Sequence, residues 1–170
     1  ITEPVAAAIA YGFEDETNQK LFIVDIGGGT FDTSILKVSD KSFETLAIDG
    51  DNKLGGDNFD NHILEYLLKH IRKEHGVNLA SFEKSGIAED EYIKAKQVLI
   101  TKSEDIKKEL SEYEEVDIEI SNLLSGYNLS TNINREKFEE ISSLSIDKIK
   151  RIIKKTLEDS NHSVDDIDKV

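Results

Sequence analysis

Three consecutive glycines, Gly27 to Gly29, constrain the fold of this chain more than any other feature. They follow an apolar run that carries Asp25 near its end, and they lead through Thr30 to a second acid, Asp32. Glycines bring backbone N–H groups close to an anion and permit turns with φ > 0. Because carboxylates are ligands for a divalent cation, the pattern predicts a loop that binds phosphate and metal.

The run after the glycines distinguishes between three kinds of phosphate loop. A Walker-type loop requires a Lys-Ser/Thr pair and a following helix, and the sequence has neither at this point. A dinucleotide-binding fingerprint would place glycine where Asp32 stands and would also lead into a helix. The residues that follow are instead rich in Ile, Leu, Val and Thr. We therefore predict strands over 21–26, 31–38 and 43–48, of which the first two form a hairpin around the phosphate.

The composition limits the classes of function. The formal net charge of −14 argues against a general nucleic-acid binder, because affinity for the phosphate backbone comes from clustered Lys and Arg. No apolar run approaches the roughly 20 residues that span a bilayer, so no membrane partner is expected. The absence of cysteine excludes disulfides and fits a cytoplasmic location or an organelle interior. An acidic protein that binds nucleotide needs a cation beside the phosphates, which predicts Mg²⁺.

The acidic stretch 49–60 has some features of a calcium loop. Its third ligand position is Lys53, however, its obligatory glycine position is leucine, and its last position is Asp rather than Glu. The sequence therefore argues against calcium binding. Gly55 and Gly56 instead predict a tight turn, with Asp57 as the cap of the helix that follows.

Helical periodicity, capping residues and turn residues predict the remaining elements. Pro4 suits the first turn of a helix, Gly12 and Gly76 suit helix ends, and Asn134 suits a helix cap. The predicted elements are helices over 4–12, 57–75, 88–113 and 146–157, a helix that Asn134 caps and that carries Phe138 and Ile141, a β-hairpin of 116–120 and 127–133, connectors over 14–20 and 77–85, a turn over 37–42, and the beginning of a buried strand at 164–170.

Apolar stripes assign buried faces to three of the helices. The stripes are Phe59, Ile63, Leu67 and Ile71; Tyr92, Ala95, Leu99, Ile106, Leu110 and Tyr113; and Ile149, Ile152 and Ile153. The order of the elements predicts a discontinuous lobe, residues 1–76 with 134–170, into which an α+β lobe of residues 77–133 is inserted.

Three segments together resemble the nucleotide-binding domain of the seventy-kilodalton heat-shock (DnaK-type) chaperones. They are DIGGGTFD at 25–32, ITEPVAAAIAYG at 1–12 and KLGGDNFDN at 53–61. The long helix, the small sheet and the RxKFEEI segment at 135–141 follow in the same order, so the resemblance covers essentially the whole chain. It implies an α/β fold, the second lobe of an actin-like (ribonuclease H-like) ATPase domain, with an inserted α+β subdomain.

The resemblance also implies roles for the residues around the glycines. Gly27, Gly28, Gly29 and Thr30 would contact the β- and γ-phosphates through backbone N–H groups and the Thr hydroxyl. Asp25 and Asp32 would hold the water shell of Mg²⁺ or an accompanying K⁺. Glu3 would help to position the metal, mostly through water, and the attacking water. Glu3, Asp25, Thr30 and Asp32 are thus the implied catalytic residues.

The resemblance implies a second set of residues, which would line the nucleotide cleft or bind adenosine. Gly55 and Gly56 would line the cleft. Lys108 stands where many members of the family have an Arg that stacks on adenine, and an ammonium stacks less well than a guanidinium plane. The residues that match the adenosine-binding helix of the family are Glu104, Lys107, Lys108 and Ser111.

The function implied by the resemblance is that of a fragment of an ATP-dependent chaperone. ATP or ADP, Mg²⁺ and K⁺ are the implied cofactors, and J-domain co-chaperones and nucleotide-exchange factors are the implied partners. Client peptides would bind to a peptide-binding domain that the chain lacks. The chain also lacks the first phosphate loop, the catalytic lysine and the Gly-Gly-Ser-Thr motif of the family. We therefore expect this chain alone to bind nucleotide weakly and to hydrolyse ATP scarcely at all, although its parent is an ATPase.

Two other functions remain open from the sequence. The first is an ATPase lobe of a sugar or acetate kinase from the same superfamily, although no phosphoacceptor pocket with its own catalytic Asp is identifiable. The second is a module that docks co-chaperones without catalysis.

Overall fold

The computed structural model describes residues 1–12, 18–39 and 42–170. The chain forms two compact units: unit 1 comprises residues 1–56 and 145–170, and unit 2 comprises residues 57–144. These units differ in extent from the predicted lobes, because residues 57–76 and 134–144 group with the segment 77–133. The predicted inserted lobe itself stays a prediction.

Unit 1 is built on a three-stranded antiparallel sheet. Helix α1 (Glu3–Ala10) precedes the strands β1 (Gln19–Ile26), β2 (Phe31–Ser39) and β3 (Ser42–Asp51), which lie in the order β1-β2-β3. All three predicted strands are confirmed. The predicted turn over 37–42 is shorter than expected, since β2 continues to residue 39 and β3 begins at residue 42. The predicted connector over 14–20 is wrong at its end, because residues 19 and 20 belong to β1. Residues 40 and 41, like residues 14–17 of that connector, lie outside the described residues.

A different helix packs on each face of this sheet. Side chains alternate along a strand, so Leu36 and Val38 of β2 point to one face, where they pack with Ala8 of α1. Thr33 points to the opposite face, where its hydroxyl lies 2.6 Å from that of Thr156 in the last helix, α5 (Arg135–Asp159). The central strand β2 is therefore covered on both sides.

The predicted burial of β1 is correct for its first half only. Leu21 and Phe22 are buried, whereas Val24 and Ile26 are 37% and 52% exposed. The segment 164–170, predicted as a buried strand, forms a 3₁₀ turn (Val164–Asp166) and a single parallel bridge between Lys169 and Leu21. Among the described residues, this bridge and its neighbouring hydrogen bonds pair with the first half of β1, the half whose apolar side chains are buried.

Unit 2 encloses a core of its own. Its elements are α2 (Gly56–His75, from its second residue), α3 (Phe82–Ser85), α4 (Glu89–Glu112), the antiparallel hairpin β4 (Glu115–Leu124) and β5 (Tyr127–Asn134), and the start of α5. The predicted connector over 77–85 is wrong in part, because it contains α3. The buried residues of the core are Ile63, Leu64, Leu67, Ile71, Leu79, Ala95, Leu99, Ile106, Leu110, Val116, Ile118, Leu123, Leu124, Leu129 and Ile133.

Three details of the predicted helices need correction. Tyr113 lies beyond the end of α4 and is 59% exposed, so it does not extend the apolar stripe. Helix α2 begins at Gly56, which places Asp57 within its first turn rather than at its cap, where a carboxylate still interacts favourably with the helix dipole. Residues 135–159 form one helix rather than two, because Ser142 and Ser145 are buried within it and serine only modestly disfavours a helix interior.

The caps and ends predicted for the other helices are confirmed. The Asn134 side chain accepts a 2.8 Å hydrogen bond from the backbone N–H of Lys137 at the start of α5. Gly12 and Gly76 follow α1 and α2 with φ of +79° in both cases, a backbone conformation that glycine adopts without strain. Within the described ranges, no helix is long and apolar enough to cross a bilayer.

Candidate phosphate and metal site

The glycines form a tight turn between β1 and β2. The backbone N–H of Gly27 donates a 2.8 Å hydrogen bond to the carbonyl of Thr30, which closes the turn. None of Gly27 to Gly29 has a positive φ, so the turn does not use the φ > 0 conformation that glycine permits. A Cβ on Gly27 would be a tight fit, since it would lie 3.1 Å from the Thr30 hydroxyl oxygen.

The Gly55–Gly56 turn lies directly against the glycine turn. The backbone N–H of Gly56 donates a 2.9 Å hydrogen bond to the carbonyl of Gly27. A Cβ on Gly55 would lie 2.5 Å from the Gly28 carbonyl oxygen and 2.7 Å from that of Gly27, distances that no side chain could occupy. The two glycine-rich segments are therefore packed backbone to backbone, which requires glycine at position 55.

Two carboxylates face each other beside this turn. Asp25 of β1 and Asp32 of β2 are direct cross-strand partners, so their Cβ atoms are expected about 4.5–5.5 Å apart on one face of the sheet. Like charges in this position destabilise a sheet unless something compensates them. Glycine at position 50 makes room for Asp32, since a Cβ there would lie 2.6 Å from its carboxylate oxygen.

Glu3 joins these two carboxylates in a single pocket, here called the carboxylate pocket. It lies between α1 and the sheet within unit 1 and has a volume of about 290 Å³. The pocket is therefore large enough to admit water. The residues that line it are Thr2, Glu3, Pro4, Ala7, Ile23, Asp25, Asp32, Thr33, Ser34 and Ile48.

The donor set of the carboxylate pocket fits Mg²⁺ held through water. In the described ranges, no group of three or more His, Asp or Glu side chains forms a complete set of direct metal ligands. Mg²⁺ does not need such a set, because it usually retains several waters and binds through one or two carboxylates together with substrate phosphates. Asp25 and Asp32 supply two hard oxygen ligands on one face of the sheet. The residues therefore fit the predicted cation.

The opposite face of the sheet is fastened to α5 by ion pairs. Lys155 lies 2.7 Å from the Asp49 carboxylate, and Lys148 pairs with Asp51. The hydrogen bond from Lys155, together with one from the backbone N–H of Gly50, lowers the pKa of Asp49 below its ordinary value. The hydrogen bond from Lys148 likewise lowers the pKa of Asp51. These ion pairs hold β3, the strand paired with Asp32 of β2, against α5.

The residues predicted for the adenosine side all lie on α4 in unit 2. Glu104 and Lys108 form an exposed ion pair of 2.7 Å, which lowers the pKa of Glu104 and raises that of Lys108 through their mutual hydrogen bond. The Lys107 ammonium lies 2.7 and 2.8 Å from the two carboxylate oxygens of Asp60. The Ser111 hydroxyl donates to the carbonyl of Lys107 at 3.4 Å. Their predicted contacts with nucleotide stay predictions.

Sequence reasoning missed several residues of these two sites. Ser34 could have been found from the alternation of side chains along β2, because it lies two residues from Asp32 and on the same face. Gly50 could have been found as the residue paired with Asp32 on the neighbouring strand β3. Asp60, which holds Lys107, gave no signal, because its partner lies far along the chain on another helix.

A mixed α/β lobe with a small antiparallel sheet is consistent with an actin-like ATPase fold. The family model described as Hsp70 protein matches residues 1–170, the whole of this chain. The chain therefore belongs to the Hsp70 family, and it corresponds to part of the nucleotide-binding domain of an Hsp70-type chaperone. The predicted resemblance and the predicted fold class are both confirmed.

Proposed function

We propose that the carboxylate pocket binds the phosphates of ATP or ADP together with Mg²⁺. The family supports a chaperone ATPase domain and nucleotide binding in general. The observation that carries the proposal for these residues is that Glu3, Asp25 and Asp32 line one pocket beside a glycine turn. A pocket lined by three carboxylates repels phosphate, so a bound cation is needed to reverse the local charge.

Different residues around the pocket would bind the phosphates, the cation and the attacking water. Backbone N–H groups of Gly28, Gly29 and Thr30 would donate to the phosphate oxygens, as backbone groups do in other anion sites. The backbone N–H of Gly27, which was predicted to do the same, is instead bonded to the carbonyl of Thr30. Asp25 and Asp32 would accept hydrogen bonds from waters on Mg²⁺ or K⁺. Glu3, at the first turn of α1, would help to orient the metal and the water that attacks the terminal phosphate.

We further propose that α4 contacts adenosine. Glu104, Lys107, Lys108 and Ser111 occur at spacings of three and four residues, so they lie along one face of this helix. Asp60 orients the Lys107 ammonium through two oxygens, and the ion pair of Glu104 with Lys108 fixes the neighbouring charges. Gly55 and Gly56 would line the cleft on the phosphate side. This assignment rests on the family pattern.

At the level of the whole chaperone, the chain would contribute to coupling ATP hydrolysis to protein folding. J-domain co-chaperones and nucleotide-exchange factors are the partners that we propose, since the family interacts with co-chaperones in general. A cytoplasmic location stays a prediction.

Titration with a fluorescent ADP analogue, with Mg²⁺ or with EDTA, tests the proposal. We expect Mg²⁺ to strengthen binding, and we expect Asp25→Asn and Asp32→Asn to remove most of this gain. Asp57→Asn is the matched control, because Asp57 is an exposed acid beside the Gly55–Gly56 turn that does not line the pocket. Binding that is indifferent to Mg²⁺, or equally sensitive to all three variants, would refute the proposed site.

A further inference from the structure

Ser34 buries a hydroxyl that the protein itself does not satisfy. The residue is 1% exposed in the central strand β2, and its Oγ has no hydrogen-bond partner among the described residues. A buried hydroxyl without a partner is costly, because it gives up its hydrogen bonds to water without replacing them. A residue that only filled space beneath α1 could be alanine, which would avoid this cost.

The position of Ser34 connects its hydroxyl with the carboxylate pocket. Because side chains alternate along β2, Ser34 points to the same face as Asp32, and it is among the residues that line the pocket with Asp25. Its cross-strand neighbours are the apolar Ile23 and Ile48. Asp25 and Asp32 are exposed while Ser34 is buried, so the hydroxyl lies at the inner end of a pocket whose outer part is acidic.

The chemistry of the pocket gives the hydroxyl a role. A carboxylate can only accept hydrogen bonds, whereas a serine hydroxyl both donates one and accepts others. A water bound to Mg²⁺ has two protons to donate, and one of them can go to a carboxylate and the other to an oxygen deeper in the pocket. Ser34 Oγ is such an oxygen.

We propose that Ser34 is a positioning residue: its hydroxyl accepts a hydrogen bond from a water in the shell of the cation bound at Asp25 and Asp32, and so fixes the depth of that cation in the pocket. This inference rests on the proposed function. It makes Ser34 a determinant of how strongly Mg²⁺ supports nucleotide binding.

The experiment compares Ser34→Ala with Ser142→Ala, a matched control. Ser142 is also fully buried with an unpartnered hydroxyl, but it lies in α5 and is not among the residues that line the pocket. Affinity for the fluorescent ADP analogue is measured with Mg²⁺ and with EDTA, and the ratio of the two dissociation constants gives the Mg²⁺ gain. Unfolding in urea is measured for each variant without nucleotide.

We expect Ser34→Ala to reduce the Mg²⁺ gain by about fivefold to tenfold, the effect of one hydrogen bond. Ser142→Ala should leave the gain unchanged, and neither variant should be less stable than the parent, since each removes a buried unpartnered hydroxyl. Ser34→Thr, which keeps the hydroxyl, should retain more of the gain than Ser34→Ala. In an Asp32→Asn background, Ser34→Ala should have no further effect, because both residues act through the same hydrated cation.

The outcomes separate the two proposals. If the parent chain shows no Mg²⁺ gain, the proposed function fails and this inference fails with it. The second outcome is that the parent chain shows the Mg²⁺ gain and Asp32→Asn loses it, while Ser34→Ala retains the full Mg²⁺ gain. In that case the proposed function stands and the role of Ser34 is overturned. A loss of gain that merely follows a loss of stability in Ser34→Ala would also overturn it.

Discussion

The backbone N–H of Gly56 donates a hydrogen bond of 2.9 Å to the carbonyl of Gly27. This bond joins the turn that begins α2 to the turn between β1 and β2, although the sequence separates them by two whole strands. The carbonyl oxygens of Gly27 and Gly28 occupy the space where a side chain of residue 55 would otherwise lie. The geometry of the glycine turn therefore depends on a residue outside it.

Gly55→Ala tests this dependence. Its methyl group would lie 2.5 Å from the Gly28 carbonyl oxygen, so the glycine turn must shift. We expect a loss of about 1–3 kcal/mol in the free energy of unfolding, as in other overpacked sites, together with weaker Mg-ADP binding. Gly126→Ala is the control, because its φ of +76° makes alanine strained in the turn between β4 and β5 of unit 2. The control should lose stability and keep its affinity; equal affinity in both variants would contradict the prediction.

The hydroxyls of Thr33 and Thr156 form a buried network between β2 and α5, on the face of the sheet opposite Asp32. They lie 2.6 Å apart, Thr33 also contacts the carbonyl of Asp49 at 3.1 Å, and Thr156 that of Ile152 at 2.9 Å. Two hydroxyl protons thus serve three contacts. We expect Thr33→Val and Thr156→Val each to cost about 1–2 kcal/mol in urea unfolding.

The double variant should cost less than the sum of the two single variants, by about 0.5–1.5 kcal/mol, because each single change leaves the other hydroxyl with a lost partner. Thr45→Val, at an exposed position on β3, is the control and should change stability by less than about 0.5 kcal/mol. Strict additivity of Thr33→Val and Thr156→Val would show that the two hydroxyls do not act together.

The ion pairs of β3 with α5 predict how stability depends on pH. The lowered pKa values of Asp49 and Asp51 mean that their stabilisation is present above the ordinary Asp pKa of about 3.9 and is lost as the pH falls through the lower folded values. Hydrogen bonds to Asp49 and Asp159 raise the pKa of Lys155. Its stabilisation is therefore present below about pH 10.4, the ordinary Lys pKa, and is lost as the pH rises through the folded value.

Urea unfolding between pH 3 and pH 11 measures this profile. We expect Lys155→Ala to make stability fall less steeply below pH 5, because Asp49 loses the hydrogen bond that lowers its pKa most. Lys154→Ala is the control, since Lys154 pairs with Glu158 on the surface of the same helix, at 3.6 Å. An unchanged acid slope in Lys155→Ala would contradict the assigned cause of the shift.

The contact of Lys107 with Asp60 predicts a contribution to both stability and binding. Both side chains are largely buried, at 26% and 20% exposure, so water and salt screen this ion pair less than an exposed one. We expect Asp60→Asn to lower the free energy of unfolding by about 1–2 kcal/mol and to weaken ADP binding. Glu104→Gln, which breaks the exposed pair with Lys108, should leave stability within the error of the measurement. Equal stability of Asp60→Asn and the parent chain would remove the basis for this role.

Local sequence signals predicted most of the secondary structure. The alternating apolar residues of β4 and β5 and the four-residue spacing on α2 correspond directly to their buried faces. The single helix α5 was not predicted, because Ser142 and Ser145 have the polar character of a break and only tertiary packing buries them. The exposure of Val24 and Ile26 depends on which strand lies beside β1, a fact that a local pattern does not contain.

The candidate site was predictable to the extent that its residues are close in sequence. The motif of residues 25–32 identified the paired carboxylates and the turn, and the family resemblance added Glu3. The Gly55 requirement and the Thr33 contact with Thr156 arise from pairs that are distant in the chain, so they needed the structure. The close approach of these glycines to phosphate stays a prediction, and the positive φ that they permit is not used in this turn.

The location of bound nucleotide tests the central claim most directly. Amide ¹H–¹⁵N spectra of the labelled chain, recorded during titration with Mg-ADP and with ADP in EDTA, report binding residue by residue. We predict Mg²⁺-dependent shifts that are largest at Gly28, Gly29, Thr30 and Gly56 and that disappear in Asp32→Asn. Shifts that leave these amides unchanged, or that occur equally without Mg²⁺, would contradict the account.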